Sequence, residues 1–164
     1  MLPSPHHMEE LIYVNCGENE SLGPILRALV EIKANVKKVD LSTWRSPSAV
    51  PALLQLAESC HVEDLTIYLY NQDDVGLFSS ALREGKLGLR SLTVMVGARC
   101  KALHAALQTY LEGETCALRR LDVSDFSEAM SQEDFDLLIK AARKSLLTRL
   151  NLERFGHRKG STLP

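Results

Sequence analysis

A short phrase of the shape apolar-x-x-apolar-x-apolar recurs six times along the chain. It reads Met8-Glu-Glu-Leu11-Ile-Tyr13, Val36-Lys-Lys-Val39-Asp-Leu41, Val62-Glu-Asp-Leu65-Thr-Ile67, Leu89-Arg-Ser-Leu92-Thr-Val94, Leu118-Arg-Arg-Leu121-Asp-Val123 and Leu147-Thr-Arg-Leu150-Asn-Leu152. Between the middle apolar residues the steps are 28, 26, 27, 29 and 29 residues. A near-constant period of this size marks stacked-repeat architectures, in which one unit cannot bury its apolar face alone and the next completes the core.

Each copy ends with apolar residues at every second position, the pattern of a strand with one buried face. Helical spacing follows. Ile25, Leu26, Leu29 and Val30 form a first apolar stripe, with Pro24 near its start, where a missing N–H costs little. Ser46-Pro47 opens a second helix through Val50, Leu53, Leu54 and Ala57, its start delayed by Pro51. The third carries Val75, Leu77, Phe78, Ala81 and Leu82, and the fourth Leu103, Ala106, Leu107, Tyr110 and Leu111. The fifth begins at Ser131, with Asp134 three residues on as a variant capping box, and runs through Phe135, Leu138, Ile139 and Ala142.

The strand interiors separate the two architectures that use this alternation. A doubly wound sheet, covered by helices on both faces, needs central strands that are almost continuously apolar. Here Asp40, Thr66, Thr93, Asp122 and Asn151 each fall between two inward apolar residues, and Ser42, Ser124 and Glu153 follow two positions later on the same side. One sheet face is therefore expected to meet solvent or a partner, which for parallel strands favours a curved solenoid over a flavodoxin-like sandwich.

Segments such as Leu118-Arg-Arg-Leu-Asp-Val-Ser and Val36-Lys-Lys-Val-Asp-Leu-Ser resemble the leucine-rich repeat, in the long form of the ribonuclease-inhibitor-like class. The resemblance covers roughly residues 8–155, with repeats starting near 8, 36, 62, 89, 118 and 147, between a flexible leader 1–7 and a flexible tail 156–164. It implies an α/β right-handed horseshoe with about six parallel strands on the concave face and five helices on the convex face. The family places Asn or Cys three residues after the last strand leucine. This chain has Cys16, Trp44, Tyr70, Gly97, Phe126 and Phe155 there, so aromatic packing is expected to stand in for the usual asparagine ladder.

The inner face of such a sheet carries three columns: Glu10, Lys38, Asp64, Ser91, Arg120, Arg149; then Ile12, Asp40, Thr66, Thr93, Asp122, Asn151; then Val14, Ser42, Tyr68, Met95, Ser124, Glu153. Successive strands lie about 4.8 Å apart, so members of a column reach one ligand surface together. Tyr68 and Met95, beside Asp40 and Asp122, are the anchor candidates, an apolar centre ringed by polar groups. With Arg120, Arg149 and Asn151 they make up the expected partner-binding set.

Nineteen Lys and Arg against 21 Asp and Glu leave a net charge of −2, so no bulk field favours nucleic acid or an anionic membrane. The first ten residues lack the cationic and apolar regions of a secretory signal, and a cytoplasmic or nuclear location is expected. Cys16, Cys60, Cys100 and Cys116, separated by 44, 40 and 16 positions, match neither a zinc pattern nor a compact disulfide framework and read as free thiols. The pairs His6-His7, Cys60-His61 and Cys100 with His104 supply too few ligands for a metal site. Asp73-Asp74 and Glu133-Asp134 sit where helices begin, the position that suits negative charge. No Gly-rich phosphate loop, nucleophile elbow or H-E-x-x-H occurs, so no catalytic residue and no cofactor is expected.

The first motif starts seven residues into the chain and no helix follows the last, so both ends of the stack read as uncapped. That predicts a segment of a longer repeat protein, or another chain covering an edge, with Ile12-Tyr13-Val14 the candidate strand for self-association. The resemblance implies a non-catalytic interaction module or adaptor that binds a protein through the concave face or a terminal edge. An α/β enzyme with a small-molecule site at the strand C-termini, near Asp73, Asp74 and Asp125, is the alternative, and a purely structural fragment the third.

Overall fold

The computed structural model describes residues 7–12, 22–41, 50–98, 101–125, 130–154 and 161–162. Strands and helices alternate: β1 (His7–Ile12), α1 (Leu22–Glu31), β2 (Asn35–Leu41), α2 (Val50–Ser59), β3 (Asp64–Leu69), α3 (Gln72–Arg83), β4 (Ser91–Val96), α4 (Lys101–Glu112), β5 (Arg120–Asp125), α5 (Gln132–Lys144), β6 (Arg149–Arg154) and β7 (Ser161–Thr162). The strands follow one another across a single sheet in chain order. β1 to β6 are parallel, and the protein is an α/β fold with the expected six parallel strands and five helices.

Pairing joins like positions of successive motifs. Val39 is opposite Leu65, Leu65 opposite Leu92, Leu92 opposite Leu121, and Leu121 opposite Leu150. A second inward column runs Leu41, Ile67, Val94, Val123 and Leu152. All ten side chains are buried, each worth about 1.5–3 kcal/mol of transfer free energy on the scale for large aliphatic groups. They share one core with Leu26, Leu53, Leu56, Val75, Phe78, Leu82, Leu103, Leu107 and Leu138 from the helices. Along β3 and β4 burial strictly alternates, and the residues between the inward ones are only half-buried. The sheet thus has one covered face and one open one.

Two helix starts carry side-chain caps, and the second of them is the Ser131 start expected from the sequence. Asn71 caps α3 by accepting the Asp74 N–H on Oδ1 at 2.9 Å, and Ser131 caps α5 by accepting the Asp134 N–H on Oγ at 3.1 Å. Pro51 sits in the first turn of α2, where it removes no helical hydrogen bond. The apolar stripes are narrower than their composition suggests. Ile25 and Leu77 are 44% and 43% exposed, because Leu26 and Phe78, one residue or about 100° further round, already set the core-facing direction.

Two boundaries differ from expectation. His7, assigned to the leader, belongs to β1. Within the expected tail, β7 lies antiparallel on β6, with Ser161 opposite Leu152 and Thr162 opposite Asn151. The C-terminal edge predicted to be bare is therefore paired there. A two-residue strand carries no periodicity, so the sequence pattern had nothing to announce it. Tyr13, Val14, Cys16, Ser42, Trp44, Ser46, Pro47, Cys100, Phe126 and Phe155 lie outside the described residues.

The turn between α3 and β4 is fastened from the next helix. Gly85 takes φ +67°, a conformation costly for any side chain, and the chain then runs to Leu87 and Leu89, both buried. The Tyr110 hydroxyl of α4 donates to the Leu87 carbonyl and accepts the Leu89 N–H. Burial pushes its phenol up to about 12, so it remains a donor at neutral pH. Tyr110→Phe is expected to cost about 1–3 kcal/mol of stability by orphaning two buried backbone groups. Urea denaturation with an unchanged slope measures it, and no loss of midpoint means those groups find other partners.

Candidate functional site

The open face carries the three predicted columns in register. Glu10 is opposite Lys38, Lys38 opposite Asp64, Asp64 opposite Ser91, Ser91 opposite Arg120, and Arg120 opposite Arg149. Ile12, Asp40, Thr66, Thr93, Asp122 and Asn151 follow in the second column. Tyr68, Met95, Ser124 and Glu153 form the described part of the third. Asp40, Tyr68, Met95, Arg120, Asp122, Arg149 and Asn151 are thus assembled on one surface.

Their roles on that surface differ. Asp122 is only 9% exposed and accepts the Arg120 Nε–H on Oδ2 at 2.9 Å. It orients a neighbouring guanidinium more than it offers a contact of its own. Arg120 and Arg149 are exposed, and Asp40, Tyr68, Met95 and Asn151 are half-buried. Ser124 Oγ donates to Glu153 Oε2 at 3.2 Å across β5 and β6. On the opposite flank Lys38 and Glu10 approach to 2.8 Å, and that hydrogen bond raises the lysine above its ordinary pKa.

The aromatic centre depends on a glycine. Tyr68 and Tyr70 stand with ring centroids 6.1 Å apart and planes tilted by 35°. A Cβ at Gly97 would lie 2.6 Å from the Tyr68 hydroxyl oxygen, so a side chain there would shift that phenol from its place over the end of β4. The Gly97 N–H donates to the Leu69 carbonyl at 2.9 Å, holding the two strand ends together. Gly97 and Tyr70 stand in the sequence as departures from the repeat wording. Here they shape the surroundings of the anchor, a role that the departure itself hints at. Arg90 and Arg119 extend the face by one row before the first column, beyond the three columns that the period-two pattern marks. Both are exposed. The signal was present, since two residues between buried leucines both project away from the core.

The alternative cluster at the strand C-termini is thinner. Asp73 is exposed, Asp74 is 4% exposed, and the side chain of Asp125 lies outside the described set. Cys60 and Cys116 are free and buried, which raises both thiols above their usual range. His104 is buried within α4. Among the described residues no group of three His, Cys, Asp or Glu side chains is placed to hold a metal ion, and no helix is long and apolar enough to cross a membrane.

Desolvation first, then the neighbouring Asp73 charge, pushes the Asp74 carboxyl up to about 6. The native state therefore binds this proton more tightly than the unfolded chain, so the group's contribution is favourable at low pH. It is lost as pH rises from the unfolded value of about 3.9 through 6. Asp74→Asn is expected to be more stable than the parent by about 1–3 kcal/mol at pH 7, with the difference vanishing near pH 4. Paired urea titrations at the two pH values measure it, and a difference independent of pH rejects the assignment.

No protein-family model, no curated protein and no solved structure matches the chain.

Proposed function

We propose that the chain is a leucine-rich-repeat solenoid that acts without catalysis, as an intracellular adaptor module binding a protein partner through the open face of its sheet. One observation carries this reading: a parallel sheet, ordinarily covered on both faces, here buries one face completely and presents on the other an in-register array of unlike side chains. Such an array meets a macromolecular surface row by row. Tyr68 and Met95, opposite each other on β3 and β4, are its apolar anchors, with Asp40, Thr66, Thr93 and Asn151 in the adjacent column around them. The sequential strand order and the six-fold motif support the solenoid. Affinity capture from native extract, run in parallel with the parent and with Tyr68→Ala/Met95→Ala, tests the face. A partner held by the parent and released at least tenfold by the variant, at unchanged thermal stability, is the expected result. Equal retention by both proteins removes the face as the docking surface.

A second reading rests on β1, which ends the sheet and has no neighbour on its outer side among the described residues. An unpaired parallel edge is a template for another strand. Sedimentation velocity at micromolar to high-micromolar concentration is expected to show dimer growing with concentration, and a single monomeric boundary throughout rejects edge association.

A further inference from the structure

We propose that the partner engages this face through an acidic segment, a run of Asp and Glu side chains laid across the entries of β4, β5 and β6. The inference rests on the docking reading above and names the chemistry of its partner.

The entries of these three strands share one backbone device. The Arg90 and Ser91 N–H groups both donate to the Glu63 carbonyl, at 2.7 and 3.0 Å. Those of Arg119 and Arg120 both donate to the Arg90 carbonyl, at 2.8 and 3.1 Å, and those of Thr148 and Arg149 to the Arg119 carbonyl, at 2.8 and 3.1 Å. Each strand therefore enters the sheet at the same level as its neighbour. Leu89 and Leu92 are both fully buried, as are Leu118 and Leu121, so the two residues inside each pair project away from the core. Arg90 and Arg119 become neighbours in one row, and Arg120 and Arg149 neighbours in the next. Four exposed guanidiniums thus occupy two rows across three strands, a width of about 10 Å from strand spacing alone.

Like charges side by side in a sheet are unfavourable, and here little offsets them. Arg120 is paired with Asp122 at 2.9 Å. Among the described residues, Arg90, Arg119 and Arg149 hold no ion pair. The other half of the same face is closed on itself, with Lys37 against Glu63 at 3.8 Å and Lys38 against Glu10 at 2.8 Å. Among the described residues, positive charge is left open in one place only on this face. Guanidinium forks suit planar carboxylates, and several convergent arginines suit several of them in succession. A long polyanion fits less well. The whole chain carries −2, and Asp122 and Glu153 bound the patch further along the strands. In the rows themselves the nearest carboxylates are Glu63, already held by Lys37, and Asp64, both at the entry of β3, so the acidic run is confined to the entries of β4, β5 and β6.

Fluorescence anisotropy at low salt with labelled octaglutamate, and separately with a ten-nucleotide single-stranded RNA, tests the assignment. Octaglutamate is expected to bind saturably. Arg119→Glu/Arg149→Glu should weaken it at least tenfold, and the milder Arg119→Gln/Arg149→Gln several-fold. Lys101→Glu/Lys140→Glu, the same change of net charge on exposed helix positions, should leave it within twofold. Failure of octaglutamate to bind, or equal weakening by the lysine variant, overturns the proposal. Tighter RNA binding that is lost in the arginine variants overturns it in favour of nucleic acid. If octaglutamate fails while Tyr68→Ala/Met95→Ala still releases the captured partner, the acidic segment falls and the docking face stands.

Discussion

In β2 to β6, every second residue must enter the same layer of packed helices, and the register between strands follows from that requirement. Val39, Leu65, Leu92, Leu121 and Leu150 form one buried column and Leu41, Ile67, Val94, Val123 and Leu152 the other. Slipping one strand by one residue exchanges its aliphatic side chains for Asp, Thr, Ser or Arg, at a cost of several buried methylene groups and an unpaired polar atom. The apolar columns therefore determine, with no further interaction, which polar residues share the opposite surface. Asp40, Thr66, Thr93, Asp122 and Asn151 are neighbours because their flanking aliphatics are.

Among the described connections, several are closed by single residues. Asn71 and Ser131 cap their helices with side-chain oxygens. Tyr110 ties the turn at Leu87 and Leu89 to the following helix, and Gly97 admits the phenol of Tyr68. At the third repeat's position for the asparagine expected after each strand, Tyr70 is 53% exposed and meets the Tyr68 ring at 6.1 Å between centroids.

This division explains what was legible beforehand. Strand positions, strand register and the membership of the candidate face all follow from a period-two pattern repeated at a near-constant interval, and both are visible in one sequence. Features that depend on a third residue were not. The pairing of buried Asp122 with the Arg120 Nε–H depends on side-chain geometry, and the exposure of Ile25 and Leu77 requires knowing which neighbour points inward first. The pairing of β7 on β6 joins segments with no shared pattern. Arg90 and Arg119 stood in plain view as the first x of the motif, yet reading them as surface requires both flanking leucines to be buried.

The distribution of charge on the open face follows from the same geometry. Where lysine and glutamate occupy adjacent strands in neighbouring rows, as at Glu10, Lys37, Lys38 and Glu63, they neutralise one another across a single strand spacing. Where arginine follows arginine in the same row, the sheet holds the like charges at that spacing too, and side-chain rotation relieves only part of the repulsion. The burial of Leu118, Leu121 and Leu150 compensates for it, since these residues hold β5 and β6 in place whatever their outward neighbours carry. A scaffold with a rigid inward face is thus free to keep an unfavourable outward one. An outward arrangement that does nothing for the fold is where recognition of another molecule is most economically placed.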